Sequence, residues 1–124
     1  MRVLLFVAIG GALGSVGRYL IGLWMRDIPG IPWETFAVNV AGSLVLGFLA
    51  GVFAATPNMD VAVRTGITVG VLGGFTTFST FTVESVEIIG SGRIGAALFN
   101  LIGSVVLGLV AAAVGLVFGR AVAA

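Results

Sequence analysis

Four long apolar stretches alternate with short polar ones along the chain, over roughly residues 3–25, 33–55, 61–89 and 94–118. Each is long enough for the ~20 residues that cross a bilayer as a helix. The first ends at Arg26-Asp27-Ile28-Pro29-Gly30 and the second at Thr56-Pro57-Asn58-Met59-Asp60. The third ends at Gly90-Ser91-Gly92-Arg93, and Gly119 and Arg120 mark the exit of the fourth. Proline and glycine in these turns stop helices. The first stretch carries Arg18 and Tyr19 where a secretory signal would place small cleavage-site residues, so it is read as a span rather than a removed leader. The pattern predicts an all-α integral membrane chain, a single domain over residues 1–124 with four transmembrane helices.

Composition sharpens this. The chain is 59% hydrophobic and 9% charged, with mean hydropathy +1.23. A soluble domain carries about 25% charged residues, so this chain lacks the charge to cover a soluble surface. Its 20 glycines point to helices packed closely in lipid, where small residues let backbones approach. With no Cys and no His, disulfides, thiol chemistry, haem ligation and the common zinc sites are excluded. A net charge of +1 implies no nucleic-acid partner. No nucleophile–base pair is evident, so the chain is not read as an enzyme. No acid lies deep in the first, second or fourth stretch, so proton-coupled transport has no evident carrier.

Four spans put both termini on one side. All the cations are arginines. Arg2, Arg64 and Arg120 fall on the terminal side, and Arg26 and Arg93 on the other, with Arg18 inside the first span nearer that second side. The count favours neither orientation. Two readings stay open: insertion both ways with an antiparallel dual-topology homodimer, or a weak bias that still decides.

An internal repeat links the second and fourth spans. The pattern Asn-x-x-Gly-Ser-x-Val-Leu-Gly begins at Asn39 and again at Asn100. Its Asn and Ser, four apart, share a helix face. Membrane helices reuse Gly, Ser and Leu heavily, so one repeat establishes neither duplication nor function.

The most unusual segment is Gly73-Gly74-Phe75-Thr76-Thr77-Phe78-Ser79-Thr80-Phe81-Thr82, in the third span. Gly, Thr and Ser are poor helix formers, which predicts a helix broken near its middle. At membrane depth a break must be shielded by protein or line a polar cavity, and its free N–H and C=O groups bind ions. Phe78 and Phe81 share a face, and their electropositive ring edges suit a small anion. The plainer reading is a kink whose Thr and Ser bond back to the backbone, with Phe as packing.

Asn39 is a mid-span amide, costly in lipid unless paired or facing a cavity. It serves either as an anion donor or as glue between helices. Thr35, one turn earlier, and Asn100 with Ser104 carry the same two readings. Arg18 either snorkels, pairs with a carboxylate such as Glu84, or draws anions to a vestibule. The glycine-rich run before it is not a nucleotide loop, since no strand precedes it.

At these residues the chain resembles the small fluoride ion channel family, known as Fluc or CrcB. The resemblance rests on Gly17-Arg18-Tyr19, on Thr35 through Ser43, and on the run from Gly73 to Phe81. It implies a fluoride-selective passive channel that lets cells expel toxic fluoride. It implies a dual-topology homodimer with two antiparallel pores, and a single dual-topology chain points to a prokaryotic inner (plasma) membrane. Phe78 and Phe81 would line the pore, Asn39 would be a donor facing it, and Thr35 would lie further along. Ser79 and Thr80 would add hydroxyls, and Asn100 and Ser104 would form a polar track, with Gly108 standing where a further hydroxyl is expected. The resemblance also implies a structural sodium ion held by backbone carbonyls at Gly73 and Thr76.

The physics is compatible. Fluoride is small and strongly hydrated, so it needs many donors, whereas a fixed cation in the pore would hold it too tightly for fast exit. A small multidrug-type dual-topology transporter is the alternative, but that class needs a membrane-embedded Glu in its first span, which is absent here. A non-transporting assembly subunit would leave the break, the Phe pair and Asn39 without a role.

Overall fold

The computed structural model describes residues 1–124, and the chain is all-helical. Helix α1 spans Arg2–Met25 and α2 Trp33–Ala55. The third span, Val61–Gly90, is built from α3 (Val61–Thr65), a π-helical segment (Gly66–Leu72), the short α4 (Gly73–Phe75) and α5 (Phe78–Gly90). Helix α6 covers Ile94–Ala123. All four spans are long and apolar enough to cross a membrane. Only 20 of 124 residues are buried, and large apolar side chains such as Leu13, Leu20, Leu109 and Val117 point outward, as suits a multi-pass membrane protein whose solvent is lipid.

Glycines fix the packing. On α1, a Cβ at Gly10 would strike the carbonyl of Gly66, and one at Gly14 the carbonyl of Val71, so α1 lies directly on the π-helical segment. Helices α2 and α6 meet in the same way. Gly47 abuts Ala112, Gly51 abuts Leu116, and Gly115 and Gly119 abut Leu44 and Phe48. With Ser43 beside Gly108, the contacting residues advance together along both helices, so α2 and α6 run parallel.

The ends are tied by polar contacts. On the terminal side, Arg2 pairs with Asp60 at 2.9 Å, and the Arg64 guanidinium donates at 2.8 Å to the Phe53 carbonyl, which also accepts the Thr56 N–H at the end of α2. Asp60 caps α3 by accepting the N–H groups of Ala62 and Val63. At the other end Arg93 donates to the Gly30 carbonyl. The turns there need glycine, since φ is +119° at Gly30 and +76° at Gly92.

Candidate functional site

The third helix breaks at two residues. Thr76 (φ −83°, ψ 159°) and Thr77 (φ −151°, ψ 121°) are extended, and α5 restarts at Phe78. Both the N–H and the Oγ1 of Thr76 donate to the Leu72 carbonyl, which ends the first half of the span. Thr77 caps the second half: its Oγ1 accepts the N–H of Thr80 at 3.2 Å and donates to the Thr80 hydroxyl at 2.9 Å. No hydrogen bond reaches the carbonyls of Gly73 and Thr76, and the N–H groups of Phe78 and Ser79 have no acceptor. The break thus leaves carbonyls free on one side and a positive helix N-terminus free on the other.

Asn39 on α2 holds the break in place. Its Nδ2 donates to the Thr77 carbonyl at 2.9 Å, and its Oδ1 accepts the Thr77 N–H at 2.8 Å. A primary amide here replaces the two helical bonds that the extended residue lost. The second Nδ2 hydrogen has no acceptor, so Asn39 serves as glue with one hydrogen unpaired. Gly42, one turn on, permits the approach: a Cβ there would collide with the Thr76 methyl.

The break and α2 line a groove of about 280 Å³ together with α5 and α6. Asn39, Ser43, Thr77, Phe78, Phe81 and Ser104 carry its chemistry. The two phenylalanine rings lie 6.1 Å apart, tilted by 47°. Phe81 is 6% exposed and Phe78 77% exposed, so the pair runs from the interior to an open outer face. The Ser104 hydroxyl is buried and has no partner. Ser43 donates instead to the Asn39 carbonyl, at 2.7 Å within its own helix. No charged side chain lines the groove.

The remaining candidate residues lie outside that groove. Thr35 is buried and donates to Glu84 Oε1 at 3.0 Å, while Glu84 Oε2 has no partner. Glu84 lines a second hollow, of about 250 Å³, near the loop end with Glu87, Ser91 and Arg93. Asn100 donates to the Ser85 hydroxyl at 3.0 Å. Ser79 is exposed on the outer face of α5, and Thr80 is occupied with the Thr77 cap. Arg18 does not pair with Glu84; its Nε donates to the Gly74 carbonyl at 3.2 Å, another orphan of the break. Sequence reasoning passed over Gly42, Thr77 and Ser85. The Asn–Ser spacing of four pointed to Ser43, and Thr77 is of a residue type favoured at helix N-caps.

A resident metal would have to be held by backbone oxygens, since no cluster of His, Cys, Asp or Glu could ligate one. The free carbonyls of Gly73 and Thr76 suit a hard cation in chemistry, but two oxygens from one chain fall short of a coordination shell.

Residues 5–116 match the family described as CrcB-like protein, Camphor Resistance. A protein of Agrobacterium fabrum named fluoride-specific ion channel FluC is 42% identical over 92% of this chain and 93% of its own length. The fluoride-specific ion channel FluC 1 of Nitrobacter hamburgensis is 47% identical over 84% of each chain. A relative of the same fluoride-channel name in Novosphingobium aromaticivorans is 45% identical over 95% of this chain and 96% of its own. These names describe ion channels, a non-enzymatic function. On a match that covers nearly the whole chain, the protein belongs to the CrcB-like family.

Proposed function

We propose that the chain is a subunit of a passive, fluoride-selective channel that lets a bacterial cell lose toxic fluoride across its plasma membrane. The observation that carries the reading is the groove at the break, where donors converge and no cation is fixed. The Ser104 hydroxyl, the second Asn39 hydrogen and the Phe78–Phe81 ring edges offer an anion several weak partners in place of water. A buried Arg or Lys would bind fluoride too long, whereas neutral donors allow entry and exit. Once closed by a second copy, a narrow path would also disfavour the larger chloride ion. Relatives named as fluoride-specific channels, at 42–47% identity, support the same substrate.

The working unit is an antiparallel homodimer of dual topology. The groove is open beside Phe78, and the third span presents Val69, Gly73, Ser79, Val83 and Val86 outward. A serine on a lipid-facing stripe is better placed against protein, and a second copy would close the groove. The near-even split of Arg between the two ends allows both orientations. Gly73 and Thr76 of two copies would together supply four carbonyls for a structural sodium ion, whose charge would offset the orphaned oxygens at the dimer axis. Thr35 and Glu84 form a polar layer between the groove and the loop end, and Asn100 bonds Ser85, the residue after Glu84. The drug-transporter alternative has nothing in its favour, since α1 carries no carboxylate.

Fluoride efflux from liposomes carrying the purified protein tests the reading. Rapid loss of fluoride with chloride retained supports it, and retention of fluoride by correctly inserted protein rejects it.

A further inference from the structure

Helix α5 is a short element, Phe78–Gly90, with a free N-terminus in the middle of a membrane span. Lipid gives helices no hydrophobic drive to pack in one rotational setting, so polar ties decide how such a piece is turned. Two ties run to α2, from Thr77 to Asn39 and from Glu84 to Thr35. The one side-chain tie to α6 is different. Asn100 Nδ2 donates to Ser85 Oγ at 3.0 Å, and Ser85 Oγ donates to the Phe81 carbonyl at 2.7 Å. All three residues are deeply buried, at 1% for Asn100, 2% for Ser85 and 6% for Phe81. Phe78, Phe81, Ser85 and Ile88 recur at helical spacing and form one stripe.

We propose that Asn100 and Ser85 are positioning residues: they act as a strut from α6 that sets the rotation of α5, and with it the placement of the Phe78–Phe81 pair at the groove. Asn100 is then not a donor to the permeating anion, because its Nδ2 faces Ser85 and it does not line the groove. Its Oδ1 is buried without a partner, a cost accepted at a residue whose other end carries the strut. The chain of bonds also explains why the repeat of Asn39 is found on α6. Each Asn grips α5, Asn39 at its N-cap and Asn100 two turns further along. A serine bonding back four residues tends to bend its helix, so the strut acts on the same turn that carries Phe81.

The conduction part of this inference rests on the proposed channel function; the structural part does not. The test uses the full-length protein with 4-fluorophenylalanine placed at position 81, read by fluorine NMR, beside fluoride efflux from liposomes. Ser85→Ala is compared with Asn100→Leu and with the double variant. The strut predicts that each single substitution shifts the fluorine signal and slows efflux about three- to tenfold, the range set by single membrane hydrogen bonds. It further predicts that the double variant is no worse than either single one, because the residues act as a unit. Replacing both partners by apolar groups restores thermal stability, yet the shifted signal and slow efflux remain. A wild-type signal and wild-type efflux in Ser85→Ala would overturn the proposal, as would recovery of both in the double variant. If the wild type itself passes no fluoride, the channel reading fails, and the fluorine signal alone still decides the strut.

Discussion

The side-chain amide of Asn39 spans the backbone of Thr77, giving to its carbonyl at 2.9 Å and taking from its N–H at 2.8 Å. This pairing lets an extended residue sit inside a membrane span. Asn39→Asp keeps the acceptor, loses the donor and places a carboxylate in an anion groove. Fluoride efflux is expected to fall by more than about tenfold, which corresponds to ~1.4 kcal/mol. Asn39→Ala is expected to lower thermal stability as well, by about 1–2 kcal/mol, since it orphans both groups of Thr77. Efflux assays and thermal scans of the two variants check both outcomes.

Ser104 separates function from stability. Its hydroxyl is buried, faces the groove and bonds to nothing in the protein. Ser104→Ala removes an unpaired polar group, so the fold is expected to be unchanged or slightly more stable. Fluoride efflux is nevertheless expected to slow, because a donor has left the path. The same preparation measured for melting temperature and for efflux gives the answer.

The parallel contact of α2 and α6 depends on glycine. A side chain at Gly47 would run into the backbone of Ala112, whereas one at Gly11 would meet nothing within 4 Å. Gly47→Val is expected to destabilise by about 1–3 kcal/mol or more, and Gly11→Ala to be tolerated. Thermal unfolding in detergent, monitored by size exclusion, distinguishes them.

Asp60 gives a pH dependence outside the membrane. The Val63 N–H bond, aided by Ala62 and Arg2, holds its carboxyl below the usual carboxylate range. A depressed folded-state pKa means that its stabilising contribution is present above the unfolded value of about 3.9 and is lost as pH falls through the folded value. Asp60→Asn keeps a capping oxygen but does not titrate. The wild-type advantage in melting temperature over Asp60→Asn is therefore expected near neutral pH and to vanish in acid.

Much of the architecture was legible because hydrophobic length and helix breakers are local signals. The expected spans over residues 33–55 and 61–89 lie within a residue of Trp33–Ala55 and Val61–Gly90. The break was legible from Gly73-Gly74 and the following threonines, although it falls at Thr76 and Thr77 rather than at the glycines. Gly74 serves close approach instead, packing on Gly11 and Ser15, whereas Gly73 is exposed. The π-helical segment, Gly66–Leu72, had no sequence signature, and its close packing on Gly10 and Gly14 of α1 is a tertiary contact that no single span encodes. Partner choice was equally hidden. That Arg18 reaches Gly74 and Thr35 reaches Glu84 depends on helix rotation, which no single span encodes.

The most direct measurement of the account is fluoride efflux from proteoliposomes, followed with a fluoride electrode against a chloride control, for the wild type and for Phe78→Ile. Phe78 is the exposed ring at the open side of the groove, so replacing it leaves the packing of a single chain intact. The account predicts fast fluoride loss without chloride loss in the wild type, and a marked slowing in Phe78→Ile. Equal passage of chloride, or efflux indifferent to Phe78→Ile, would contradict an anion path along the aromatic pair at the broken helix.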